Sequence, residues 1–221
     1  RDGSYEGPAG QRLDDTELRA HILALVARRG RYLIQECLRN HPDLMRFGGG
    51  LTSLRITSCK DESGGFEVTN AVLKMSLAVG SSVDNFHQGG AVCRVDVATG
   101  EVGPAWDTWI KRPCGLHPAH PRTGAAIAGM TLPCWPETVA MVARAAGLFP
   151  DRIMVGFDVA ITDRGPVIIE GNVQQGCDMV QRTHDLPVGL QRLGELLAFQ
   201  AGEALAARPP RAMRWNCMNW T

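Results

Sequence analysis

The chain has 221 residues, 44% of them hydrophobic, with 23 basic side chains balancing 23 acidic ones. That length supports one large or two small domains with a real core, and the balanced charge gives no electrostatic argument for nucleic acid or an anionic membrane. No run of about 18 apolar residues marks a membrane-inserted helix, and no signal-peptide pattern opens the chain.

The seven cysteines, at 37, 59, 93, 114, 134, 177 and 217, include no C-x-x-C pair. An odd, widely spaced set argues against a disulfide framework and a zinc cluster. Free thiols in a reducing, cytoplasmic setting are the simplest reading. No composition shift marks a linker, so residues 1–221 read as one domain ending in an irregular basic tail, 208–221. The opening at Arg1, polar and Gly-rich, reads as part of a longer polypeptide.

Residues 1 to 13 read as a loop or frayed hairpin. DDTELRAHILALVARRG, from Asp14 to Gly30, reads as a helix. Asp14 and Glu17 have capping-box spacing, Leu18, Ile22, Leu25 and Val26 form an apolar stripe, and Gly30 ends it. RYLIQE (31–36) reads as a strand. His41-Pro42 disfavours helix at 41, and Gly48 to Gly50 break what precedes them. LTSLRITSC reads as a strand with Leu54 and Ile56 on one face and Ser53, Arg55 and Thr57 on the other. FEVTNAVLKMSL is its returning partner, which puts Arg55 and Lys74 on neighbouring strands. VDNFHQGG is a polar loop, and AVCRVDV another strand. Residues 102 to 135 read as an irregular excursion, CWPETVAMVARAAG as a helix, and LPVGLQRLGELLAFQAGEALAA as a closing amphipathic helix. Irregular alternation of strands and helices, with several hairpins, predicts an α+β fold: a mixed, largely antiparallel sheet with flanking helices.

Between the last two helices, MVGFDVAITDRGPVIIEGN (154–172) reads as a hairpin of strands near 154–162 and 166–172. A three-residue loop, Asp163-Arg164-Gly165, suits a type I turn with Gly in the left-handed position. That register pairs Thr162 with Pro166, puts Asp158 opposite Glu170, and puts Asn172 opposite Gly156. A four-residue loop would pair Asp158 with Ile169 instead. Two carboxylates facing each other across a ladder are destabilising unless a positive charge lies between them. Magnesium usually takes one or two carboxylates plus substrate phosphates. Gly156 and Ala160 leave room for a ligand over that face. The bland alternative is a surface hairpin with solvated charges.

GFDVAITDRGPVIIEGN resembles the metal-binding hairpin of the ATP-grasp superfamily, and most closely its sugar-transfer-associated branch, which includes proteins similar to those of teichuronopeptide synthesis. The resemblance runs from about Gly3 to Leu193. It implies an ATP-grasp-like fold in which Asp158, Glu170 and Asn172 hold Mg2+ on the phosphates of ATP. YLIQECLRNHPDL resembles the family's hinge, which implies that Gln35, Glu36, Cys37 and Leu38 meet the nucleoside. LRITS and AVLKMSL resemble paired strands whose basic residues, here Arg55 and Lys74, reach the phosphates. Asn85, in VDNFHQGG, matches a loop beside them. His120, Arg122 and Thr123 face an acceptor or simply pack. The family's upstream Gly-rich, lysine-bearing lid has no counterpart in DGSYEGPAG, which contains no lysine.

The resemblance thus implies an ATP- and magnesium-dependent ligase. It joins a small-molecule or peptide carboxylate to an amine, or another nucleophile, through an acyl phosphate, with a link to polysaccharide pathways. The alternatives are a nucleotide-binding regulatory module without ligation and an ATP-grasp phosphotransferase.

Overall fold

The computed structural model describes residues 5–6, 10–33, 35–48, 50–77, 90–107 and 115–207. The loop carrying Asn85 and the basic tail 208–221 lie outside the described residues. The chain forms two compact units, Arg1–Cys37 and Leu38–Thr221.

In the first unit, β1 (Tyr5–Glu6) pairs antiparallel with β2 (Arg12–Leu13), and α1 spans Asp15–Arg29. The capping box is complete: Asp14 Oδ1 accepts from Glu17 N at 2.8 Å, and Glu17 Oε2 accepts from Asp14 N at 3.0 Å. These bonds satisfy two donors that a helix start otherwise leaves orphaned. Gly30, at φ +84°, ends the helix. Leu18, Ile22 and Leu25 are half-buried, and Val26 is exposed. The strand expected at 31–36 is not formed among the described residues there, which run in irregular, exposed backbone. An apolar-rich run becomes a strand only where a partner offers a ladder.

The second unit opens with a short helix, α2 (Pro42–Met45), whose N-cap is the extended His41. Seven strands among the described residues then build one sheet: β3 (Ser53–Lys60), β4 (Phe66–Ser76), β5 (Gly90–Val95), β6 (Val102–Asp107), β7 (Leu116–His117), β8 (Met154–Thr162) and β9 (Gly165–Asn172). Their order is β7-β6-β5-β4-β3-β8-β9, with every neighbouring pair antiparallel. α3 (Trp135–Gly147), α4 (Asp178–His184) and α5 (Arg192–Ala206) flank it. The fold is α+β with a largely antiparallel sheet, as read from the sequence.

Period-two alternation decides what each face does. Leu54 and Ile56 of β3, Leu73 and Met75 of β4, and Val155, Phe157, Val159 and Ile161 of β8 point to one side and bury against Trp135, Val142 and Ala146 of α3. Each such side chain, fully buried, contributes about 1.5–3 kcal/mol. The opposite side is shared. Met179 and Val180 of α4 pack on Val72 and Val92, and Leu193 and Leu196 of α5 pack on Cys59. Arg55, Lys74 and Asp158 alternate with the α3-facing residues and so lie on this second side.

Residues 102–107, expected to be irregular, join the sheet as β6. Pro104 has no N–H for a ladder, and the pairing shifts around it: Cys93 opposes Ala105, while Val95 opposes Val102. The irregularity lets a Gly-Pro pair sit inside a strand. α4 has seven residues, about two turns, too short for its period to be read. No helix among the described residues is long and apolar enough to cross a membrane.

The turn after β5 fixes the start of α3. Gly100, at φ +75°, lies under Trp135, and a Cβ there would come 2.9 Å from Trp135 Cβ and closer to the ring. Trp135 Nε1 in turn donates to Val97 O at 2.9 Å. Gly64, at φ +85°, has nothing within 4 Å of such a Cβ. Gly100→Ala is therefore expected to cost about 3 kcal/mol, from left-handed strain plus overpacking. Gly64→Ala is expected to cost about 1 kcal/mol, from strain alone. Denaturant unfolding of both variants checks the difference, and equal losses would mean that Trp135 yields.

Candidate functional site

The β8–β9 hairpin builds the site, by a route other than the expected one. The loop has two residues rather than three: Thr162 pairs with Gly165 and Ile161 with Pro166. Gly165 takes φ +102°, and its carbonyl accepts from Thr162 Oγ1 at 2.8 Å. That turn alone would set Asp158 against Ile169. A bulge between Asp158 and Val159 absorbs one residue of β9, so that Val159 pairs with Ile168 and Asp158 with Glu170. Gly156 then pairs with Asn172. Bulges re-aim side chains in this way, often beside functional sites.

β3 lies on the other side of β8 and puts Arg55 directly opposite Asp158. Lys74, on β4, is two residues along from Val72, the partner of Arg55. The three side chains meet. Arg55 Nε donates to Asp158 Oδ1, and Lys74 Nζ donates to Asp158 Oδ2 at 2.8 Å. Asp158 and Lys74 are both only 8% exposed, so the ion pairs are poorly screened. Burial alone would raise the Asp158 carboxyl, but the hydrogen bonds and charges of Arg55 and Lys74 outweigh it and hold the group below its ordinary value. On the outer strand, Asn172 Nδ2 donates to Glu170 Oε1 at 3.0 Å, and Glu170 is exposed.

Asp158, Glu170, Asn172, Arg55 and Lys74 are thus drawn to one region of the sheet. Asn85 lies outside the described residues. Gln35, Glu36 and Cys37 belong to the first unit, where all three are exposed. Leu38 belongs to the second unit and, with Asn40, Met45 and Leu51, borders a cleft of about 300 Å³. Asn40 braces that cleft, accepting from Thr52 N and donating to Gly50 O, both at 2.8 Å. His120 lies in the interior. It is 2% exposed, its Nε2 meets Ser76 O at 3.2 Å, and its Nδ1 accepts from Thr123 N at 3.2 Å.

Two features escaped the sequence. The space over Gly156, read as room for a ligand, is filled by the carboxamide of Gln175. The pairing of β3 with β8, which gives Asp158 its two counter-charges, joins residues about a hundred positions apart, and no local pattern signals it. The donor set fits magnesium in kind: two carboxylates and an amide oxygen, all hard oxygen ligands. Among the described residues no three His, Cys, Asp or Glu side chains form a metal-holding group.

The chain matches the family described as sugar-transfer associated ATP-grasp over residues 3–188. A comparison with curated proteins finds no match.

Removing the central charge leaves two cations facing each other. Asp158→Asn is expected to cost about 3 kcal/mol at pH 7 in denaturant unfolding, as when one partner leaves a buried ion pair. A lowered folded pKa gives stability that is full above the ordinary value of 3.8 and lost as pH falls through the folded value. The gap between wild type and Asp158→Asn should therefore close on acidification through that range. A gap that persists well below it would mean that shape, not charge, is what Asp158 supplies.

Proposed function

The chain belongs to the sugar-transfer-associated ATP-grasp family, and on that premise we propose that it is an ATP- and magnesium-dependent ligase joining a carboxylate to an amine through an acyl phosphate. Family membership implies ATP-dependent, ligase-like activity, and ATP-grasp proteins typically use ATP and Mg2+. The observation that supports the finer reading is the meeting of Arg55 and Lys74 on Asp158, opposite Glu170.

On this reading Asp158, Glu170 and Asn172 would hold Mg2+, whose charge would offset that of the phosphates. Arg55 offers a planar fork and Lys74 a point charge to the same oxygens. In the resting structure both are held on Asp158, so on this reading they would turn from that carboxylate to the phosphates when the nucleotide binds. Leu38, Met45 and Leu51 give the neighbouring cleft an apolar lining suited to a flat base. The substrate carboxylate attacks the γ-phosphorus and ADP leaves. The amine then attacks the acyl carbon, phosphate leaves, and the amine gives up a proton. No side chain forms a covalent bond in this scheme. The protein supplies positioning and charge compensation.

Product stoichiometry tests the reading in the full-length protein. ADP and phosphate should appear in equal amounts, only when carboxylate and amine are both present, with no AMP or pyrophosphate. Glu170→Gln should lower turnover about 100-fold or more, the scale of losing a key charge stabiliser. Leu205→Gln, on the exposed side of α5, should change nothing. Phosphate left on the acceptor would make the protein a phosphotransferase. Nucleotide binding without product would make it a binding module.

A further inference from the structure

We propose that Gln175 is a positioning residue for Glu170 and Asn172, acting through the segment that leaves β9; this rests on the reading of those two residues, with Asp158, as the metal-holding set. Gln175 follows Asn172 by three residues. Its side chain folds back over the sheet, and Nε2 donates to Thr57 Oγ1 at 2.9 Å. Thr57 opposes Gly156, and Gly156 opposes Asn172, so the three form one row across β3, β8 and β9. The next row on the same face is Arg55, Asp158 and Glu170. Gln175 therefore lies across the row beside the charges and pins the chain that has just delivered Glu170 and Asn172.

The fit depends on position 156 having no side chain. A Cβ there would collide with the Gln175 carboxamide. The backbone of Gly156 needs no special conformation, so packing is the reason for glycine at this point of β8. The Gln175 carboxamide is anchored at one end only: Oε1 is enclosed and has no hydrogen-bond partner. Exchanging the two ends of the amide keeps the Thr57 contact, because a hydroxyl both donates and accepts. An apolar side chain of similar shape would fill the same space without stranding a polar atom. Filling space alone therefore does not account for glutamine, and the anchor on Thr57 does. Partners that orient metal-holding side chains typically change metal affinity 10- to 100-fold when removed.

The test is binding of Mn2+, with ADP present, followed by the electron paramagnetic resonance signal of free Mn2+ and paired with unfolding midpoints. Gln175→Ala, Thr57→Val and Gly156→Ala should each weaken Mn2+ binding about tenfold. Gly156→Ala/Gln175→Ala should be no weaker than Gln175→Ala, because both changes remove one contact. Gln175→Ala also removes the Nε2–Thr57 bond and some packing, so its midpoint should fall modestly, whereas Thr57→Val, which removes the same bond with little change of shape, should lose Mn2+ affinity with a smaller fall in midpoint. Wild-type affinity in Gln175→Ala, or single effects that multiply in the double variant, would overturn the proposal. If Gly156→Ala does not fold, Gln175→Ala and Thr57→Val decide it. Glu170→Gln separates the two readings. If it binds Mn2+ like wild type, the metal-holding set itself is wrong. If it loses Mn2+ while Gln175→Ala does not, only the positioning role fails.

Discussion

A carboxylate held between a guanidinium and an ammonium is the constraint on which this sheet face depends. Asp158 draws one bond from β3 and one from β4, while sitting on β8. Three strands are thereby tied at one level by charge as well as by the backbone ladder. Either cation buried alone would be costly, and so would the carboxylate. Together they are tolerable, and they leave Glu170, on the next strand, as the exposed acid of the group. The α3 side of the sheet needs no such device, because its residues bury one another.

The hairpin shows how much of this was legible in the chain. Alternation put Glu170 and Asn172 on one face, the expected three-residue loop set them against Asp158 and Gly156, and the predicted pairing of Asp158 with Glu170 is the observed one. The reasoning behind it was incomplete. A two-residue turn shifted the register one way and a bulge at Asp158/Val159 shifted it back. Two errors of one residue cancelled. A turn with Gly at its end is compatible with either loop length, and a bulge leaves little trace in an apolar run such as Val167-Ile168-Ile169. Chemistry chose the register: the alternative set Asp158 against the apolar Ile169, which makes no chemical sense.

What stayed hidden was non-local or short. Arg55 and Lys74 could be placed on neighbouring strands because a turn joins them. Their meeting with Asp158 could not be seen, because β8 reaches β3 only through the folded sheet. α4 is too brief to show a period, and β6 was concealed by Pro104. The 31–36 segment has the composition of a strand and forms none among the described residues. Gln175 had no motif to mark it. The one signal was Gly156, a glycine within a strand, which indicates a close approach by another part of the chain. That approach was read as a ligand's, and it is the protein's own.

The charge balance at Asp158 bears on what the proposed site accepts. Arg55 and Lys74 offset Asp158 and Glu170, two charges against two. A bare polyanion that pulled both cations toward itself would leave two carboxylates facing each other across β8 and β9, an arrangement that repels itself. A divalent cation alone would meet an Asp158 whose two oxygens are already engaged by donors. On the proposed reading, a polyanion arriving with a divalent cation would let both exchanges proceed together, the cations turning to the phosphates while the carboxylates turn to the metal. Each partner would then remove the penalty imposed by the other, so their binding would be coupled, and reciprocally so, as any linkage must be. On the proposed reading this favours the metal–nucleotide complex over either component through the resting arrangement of three side chains, before any loop or lid takes part.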